Sequence, residues 1–138
     1  MKIKIIQIGK DKETFVGEGV LKYLKMLKGY ADVEMLTLKD ESGVLKAVGE
    51  SFCIVLDELG EEFSSVEFGQ WIGKRKDVGD HLVFVIGGAY GLPEEVKARA
   101  DLLLSLSKMT FTHQMVRIFL LEQIYRGLSI VYGKEYHN

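Results

Sequence analysis

The sequence predicts an α/β domain built on a parallel β-sheet with helices on both faces. Two stretches, FCIVL at 52–56 and HLVFVI at 81–86, are apolar runs without the polar alternation of a half-exposed strand, so both read as strands covered on two sides. Strand-like and helix-like segments alternate along the chain, which is how crossover helices join parallel neighbours. At 138 residues the chain has the size of one domain, 1–138, around a single core.

Residues 2–8 (KIKIIQI) alternate and then run apolar into Gly9, as a strand entering a loop does. Residues 13–27 place Phe15, Val20, Leu21, Leu24 and Leu27 at helical spacing with lysines between them. Gly17 and Gly19 weaken this helix and Gly29 ends it. DVEMLTL at 32–38 alternates cleanly as a second strand, and a short helix is expected around 44–50. The 52–56 strand should end in the polar turn Asp57-Glu58-Leu59-Gly60. Ser64-Ser65-Val66-Glu67 has capping-box spacing and opens a helix that carries Phe68, Trp71 and Ile72 and closes near Gly79, with Trp71 expected in the core.

The 81–86 strand breaks at Gly87-Gly88-Ala89-Tyr90-Gly91. Pro93 then suits a first helical position, with Glu94 and Glu95 at the positive end of the helix dipole. Residues 101–104 form a short fifth strand. Thr112 caps a last helix running to about Leu128. The middle of that helix, Ile118-Phe119-Leu120-Leu121, is apolar all round, so it must be covered from more than one direction, by its own sheet and by something else such as a second copy of the chain.

Composition removes several classes of function. Hydrophobic residues make up 47% and charged residues 28%, with one proline and no low-complexity run, which excludes disordered and fibrous chains. No apolar run reaches the roughly 18 residues of a membrane helix, and the opening MKIKI alternates charge with bulk instead of forming a signal-peptide block. A cytoplasmic protein without a membrane partner is expected. The one cysteine, Cys53, sits inside an apolar run and reads as core. A net charge of −2 does not mark a nucleic-acid binder; Lys74-Arg75-Lys76 and the series Lys22, Lys25, Lys28 are local clusters, more simply read as solvated helix faces. His81, His113 and His137 lie far apart, and no H-E-x-x-H, paired C-x-x-C or G-x-S-x-G occurs, so neither a metal site nor an acyl-transfer elbow is expected.

In open parallel sheets ligands bind beyond the carboxyl ends of the strands. That singles out the loops 57–60, 87–91 and 105–112. In the last of these, Ser105, Ser107, Lys108, Thr110 and Thr112 alternate with Leu106, Met109 and Phe111. Exposed backbone groups beside an apolar floor can hold a flat heteroaromatic ring by main-chain hydrogen bonds. Gly87-Gly88-x-x-Gly91 follows a strand and precedes a helix, yet matches neither G-x-G-x-x-G nor a P-loop; its glycines more simply allow a sharp turn and close approach of a ligand.

His113 opens the last helix, where the dipole disfavours its charged form. Arg117 and Arg126 emerge from an apolar helix and call for an acidic or phosphate partner, which Glu122 can supply internally. Tyr136 and His137 are either a frayed terminus or a phenol and an imidazole delivered into an active site.

The segments FVIGGAYGL (84–92), LSLSKMTFTHQMVRIFLLEQIYR (104–126) and YHN (136–138), with KIKIIQIGK at the start and LDELG at 56–60, closely resemble the ribosomal RNA large subunit methyltransferase H family. Its members are pseudouridine N3-methyltransferases of the SPOUT superfamily. The resemblance covers most of the chain and is weakest at 40–51. It implies a parallel-sheet SPOUT fold whose C-terminal part forms a deep trefoil knot, against the general rarity of knots, and a homodimer packed through the first and last helices. It also implies S-adenosyl-L-methionine as cofactor, touching Leu56, Gly87, Leu106, Ser107, Lys108, Met109, Thr110 and Phe111. By the same resemblance Tyr136 and His137 meet the target base, His137 as proton acceptor or as the group orienting a water that is. Arg117, Arg126 and His113 would serve the dimer or the RNA.

The implied substrate is a pseudouridine of 23S rRNA in the assembled 70S ribosome. Three features depart from the family pattern: Thr112 where proline is usual, Asn138 where a basic residue is usual, and a short 40–51 segment. Two other readings use the same residues, a non-catalytic dimeric module that binds a nucleotide or the ribosome, and a flavodoxin-like nucleotide or flavin binder.

Overall fold

Side-chain alternation along the strands divides the core of the protein into two layers, one on each face of a single sheet. The computed structural model describes residues 1–134. Its elements are β1 (Lys2–Ile8), α1 (Thr14–Leu27), β2 (Asp32–Leu38), a 3-10 turn (Glu41–Gly43), α2 (Val44–Val48), β3 (Phe52–Glu62), α3 (Ser65–Asp77), β4 (Leu82–Ile86), α4 (Glu94–Arg99), β5 (Leu102–Ser105) and α5 (His113–Val131). The strand order is β2-β1-β4-β3-β5, and every pairing is parallel. Ile3, Ile5, Ile54, Leu82, Phe84 and Ile86 join the core under α1, α3 and α5. Ile6, Ile8, Cys53, Val55, Val83 and Val85 join the one under α2 and α4. β4, in the middle, is buried at all five positions, and each such side chain removed from water contributes about 1.5–3 kcal/mol.

Glycines set how close the helices come. Gly19 of α1 lies against Ile118, where an added Cβ would fall 2.9 Å from its Cδ1. Gly69 of α3 faces Gly127 of α5, whose carbonyl oxygen would be 3.0 Å from an added Cβ. Gly19, which weakens α1 as an isolated helix, therefore lets it lie close on α5. In consequence α5 is covered largely within its own chain: Leu120 and Leu121 are buried, while Ile118 and Phe119 are half-buried.

The expected elements form, with four changes. The 57–60 segment is not a turn. β3 continues through it to Glu62, and its register against β5 shifts between Leu56 and Glu61, so the polar residues bulge out of an edge pairing. Pro93 is the N-cap of α4, one position before the helix starts. Trp71 is half-buried, stacked on Phe68 at 6.0 Å. α5 runs on to Val131. The capping box forms as expected: the Ser64 hydroxyl accepts from the Glu67 N–H at 3.1 Å, and the Glu67 carboxylate accepts from the Ser64 N–H at 2.7 Å. Cys53 is buried. No helix among the described residues is long and apolar enough to cross a membrane.

Candidate functional site

β4, β3 and β5 lie side by side, so the loops after β4 and β5 and the β3 bulge are gathered at one edge of the sheet. They enclose a cavity of about 610 Å³, within the range of small-molecule and cofactor sites. Seven of the eight residues expected to touch a cofactor line it: Leu56, Gly87, Leu106, Ser107, Met109, Thr110 and Phe111. Lys108 does not, and is exposed.

Local hydrogen bonds shape the walls. The Ser105 hydroxyl donates to the Ser107 carbonyl at 2.9 Å, and the Ser107 hydroxyl accepts from the Met109 N–H at 3.0 Å. Thr112 accepts from the Met115 N–H at 3.2 Å and fixes the loop to α5, the N-cap expected from sequence. Across the cavity, the Gly91 N–H donates to the Gly88 carbonyl at 3.1 Å. A Cβ at Gly87 would sit 3.0 Å from Leu92 Cγ and 3.3 Å from the Gly91 backbone, so only glycine keeps this wall thin. The β3 bulge contributes Asp57 and Glu58. One Asp57 carboxylate oxygen accepts from the Leu59 N–H at 3.0 Å and the other lies 3.7 Å from Lys97 Nζ. Asp57 and Glu58 belong to a loop that sequence singled out, whereas Lys97 and Val116 come from helices with no motif to mark them.

His113 also lines the cavity. Its Nδ1 is 3.5 Å from Arg117 Nη2. Arginine can only donate, so in this contact Nδ1 is the atom placed to accept. Burial, then the charges of Arg117 and Lys12, push its pKa below the ordinary 6.5.

The two arginines part company. Arg117 is fully buried; its Nη1 donates to Asp11 at 2.8 Å and its Nη2 to the Ile8 carbonyl at 2.8 Å. Its acidic partner is therefore Asp11 and not Glu122, and with no exposed surface it cannot reach an RNA phosphate. Glu122 instead pairs with Arg126, one turn later, whose Nε donates to it at 3.0 Å. Gln114 completes the anchor under α5: its carbonyl oxygen accepts from the Lys12 N–H at 2.9 Å and its amide donates to the Lys10 carbonyl at 3.2 Å. The polar belt thus ties the loop after β1 to the helix that carries His113. Tyr136 and His137 lie outside the described residues.

A second, apolar groove of about 490 Å³ runs beside the first and shares Leu104, Leu106 and Phe111 with it; Tyr23, Phe68 and Phe119 form its floor. Phe111 meets Phe119 edge-on at 4.9 Å between ring centres. Among the described residues no group of three or more His, Cys, Asp or Glu side chains converges as a metal site.

The chain is similar throughout to known proteins. A family model described as predicted SPOUT methyltransferase matches residues 1–137. Proteins named ribosomal RNA large subunit methyltransferase H match end to end. The one from Trichlorobacter lovleyi is 42% identical and the one from Geotalea daltonii 40%, each over 153 aligned positions covering 100% of both chains. Their alignments exceed the 138 residues of this chain, so these relatives carry insertions relative to it.

Among solved structures, a probable methylase family protein from Haemophilus influenzae Rd KW20 aligns with a TM-score of 0.67 at 10% identity, covering 99% of this chain and 70% of that one. The SpoU methyltransferase AviRb from Streptomyces viridochromogenes, solved in complex with the cofactor AdoMet, aligns with a TM-score of 0.57 at 10% identity, covering 97% and 59%. At such identities the likeness to the solved structures is one of fold, while the end-to-end matches near 40% carry the kinship: the chain belongs to the ribosomal RNA large subunit methyltransferase H family of SPOUT methyltransferases.

Proposed function

We propose that the protein uses S-adenosyl-L-methionine to methylate N3 of a pseudouridine in 23S rRNA of the assembled 70S ribosome. The observation that carries this reading is the cavity at the carboxyl edge of the sheet, where seven residues picked from the sequence converge. Its chemistry fits the cofactor: main-chain groups and hydroxyls at 106–111 suit an adenine edge, the thin wall at Gly87 admits close approach, and, with Asp57 paired to Lys97, the carboxylate of Glu58 favours a cationic ligand. When bound, the cofactor supplies a methyl group activated on a sulfonium. The chain's own residues would hold the acceptor nitrogen in line with that methyl group and provide a base for the N3 proton.

His137 is that base, or orients a water that is, with Tyr136 against the target ring. The other groups position: the 105–112 loop and the neutral His113 hold the reactants in line, and alignment supplies much of the acceleration. A homodimer over α1 and α5 covers the apolar groove and the exposed Phe15 and Leu21; a sedimentation run showing only monomer at micromolar concentration would remove it from the proposal. The trefoil knot belongs to the same reading. It is supported by a strand order in which the chain inserts β4 between β1 and β3 before returning to β5 beyond β3. A chain cyclised through its ends and then denatured should migrate as a knotted ring; migration as an open ring would exclude the knot.

The function is tested by calorimetry with the methyl donor, followed by tritiated-methyl transfer to 70S ribosomes lacking the modification. Donor binding with transfer to 23S rRNA is expected; binding without transfer would leave a non-catalytic ribosome- or nucleotide-binding module. In the same assay His137→Ala should lower turnover at least about a hundredfold, as loss of a positioned base does, with donor affinity nearly intact. A collapse of affinity would make the tail structural.

A second expectation concerns pH. Because the folded pKa of His113 is depressed, the unfolded chain takes up this proton first as pH falls through 6.5, so the contribution is fully present above that value and is lost below it. Thermal midpoints taken at about pH 7.5 and about pH 5.5 should therefore fall further for the wild type than for His113→Gln. Equal falls would show that the ring gains its charge in the folded state without penalty.

A further inference from the structure

Exposed apolar side chains are ordinary when scattered singly over a surface. Here the distribution is not scattered. Among the described residues the three most exposed large apolar side chains are Tyr90 at 101%, Leu59 at 89% and Met109 at 78%. Tyr90 and Met109 stand on the loops after β4 and β5, and Leu59 on the β3 bulge. Met109 lines the cavity, as do Glu58 beside Leu59 and both chain neighbours of Tyr90, Ala89 and Gly91. Segments far apart in sequence thus place Met109 in the cavity lining and Leu59 and Tyr90 one residue from it, because β4, β3 and β5 are adjacent in the sheet.

Tyr90 sits in a hydrogen-bonded turn and is fully exposed. The Gly91 N–H to Gly88 carbonyl bond closes the turn, and Gly91 completes it at φ +80°. A tyrosine has only two side-chain torsions to fix, so a hydrogen-bonded turn presents its ring at low entropic cost. No ring partner within the chain stacks on it among the described residues, whereas Phe111, Phe63 and Trp71 all have one.

We propose that Tyr90, flanked by Leu59 and Met109, forms a stacking rim on which an unpaired base of the RNA substrate rests next to the nucleotide entering the cavity. The inference rests on the methyltransferase reading for the direction of approach: whatever accepts the methyl group must pass the mouth of this cavity. Single-stranded RNA fits the rim because every base offers a flat π-face, and aromatic and apolar side chains take such faces without regard to sequence. Phosphates have cations within reach: Lys108 precedes Met109 in the same loop, and Lys10 and Lys12 are exposed on the loop after β1, the neighbour of β4. Of the two carboxylates that the β3 bulge brings to the cavity, Asp57 has Lys97 at 3.7 Å, and Glu58 stands beside Leu59.

The test is direct binding of a fluorescein-labelled oligouridine to the full-length protein, read by polarisation, with ribosome methylation alongside. Tyr90→Ala should weaken oligouridine binding about tenfold and raise the KM for ribosomes without a matching fall in kcat, and Tyr90→Phe should restore both. Donor affinity by calorimetry should not move. The fully exposed position makes misfolding no explanation for a loss. Unchanged oligouridine binding in Tyr90→Ala would overturn the rim. So would an equal loss of donor affinity, which would make Tyr90 part of the cofactor site, or a changed sedimentation coefficient, which would make the rim a contact between copies. If the wild type methylates no ribosome, the functional reading fails separately, and the oligouridine result still decides the rim.

Discussion

Replacing Asp11 with alanine is expected to destabilise the fold by about 3 kcal/mol, the loss typical when one partner of a buried ion pair is removed. Arg117 has no solvent exposure, so it cannot recover water when its carboxylate is gone. What remains is the Ile8 carbonyl at 2.8 Å and a long contact to His113 at 3.5 Å, neither of which neutralises a guanidinium. The pair joins residues 106 apart in sequence, so its loss also leaves the loop after β1 held to α5 by the Gln114 and Ile8 hydrogen bonds alone. Urea denaturation of Asp11→Ala, Arg117→Met and the double variant measures this. The double variant should recover most of the loss, because a buried ion pair is worth little more than apolar packing of similar volume while an orphaned charge is costly. A single Asp11→Ala within about 0.5 kcal/mol of wild type would show that the guanidinium finds another partner or is wetter than its burial indicates.

The same pair marks where the sequence stops being informative. Alternation in 2–8 and 32–38, the apolar runs at 52–56 and 81–86, and the capping box at Ser64 are local signals. Each maps onto the element expected, because period and capping act over a few residues. The partner of Arg117 is not local. Glu122 lies five residues ahead of it, off the helical i,i+4 spacing that joins Glu122 to Arg126, so geometry alone disfavoured that pairing, but nothing in the neighbouring residues named Asp11. The cavity was legible because the rule placing ligands at carboxyl strand ends needs only the strand list. Lys108 falls outside the lining although its neighbours Ser107 and Met109 belong to it: its side chain is exposed to solvent, and a loop has no fixed period from which sequence could tell which of its side chains turn inward. The bulge at 57–60 was misread as a turn for a related reason: polar residues and glycine signal a break in the ladder, and only the facing backbone of β5 decides whether the chain reverses or swells and continues.

That bulge carries the second large expected effect. Gly60→Ala should cost about 2–3 kcal/mol of stability, in the range of overpacked sites, and weaken methyl-donor binding. An added Cβ would stand 2.5 Å from the Leu103 carbonyl oxygen, 2.6 Å from its carbon and 2.9 Å from the Leu104 nitrogen. These are backbone atoms, so no rotamer change relieves the clash and one strand must move from the other. Both sides of the cavity move with them: β3 carries Leu56, Asp57 and Glu58, and β5 leads directly into Leu106 and Ser107. Gly29→Ala is the matched control, since an added Cβ there meets nothing within 4 Å and its φ is not in the left-handed region; it should stay within about 0.5 kcal/mol of wild type. Urea denaturation and donor calorimetry on the two variants separate the effects. Gly60→Ala with wild-type stability would mean that β5 can withdraw from the bulge freely. A destabilised Gly60→Ala that binds donor normally would place the cofactor away from the β3–β5 junction, and with it the methyl-transfer site proposed here.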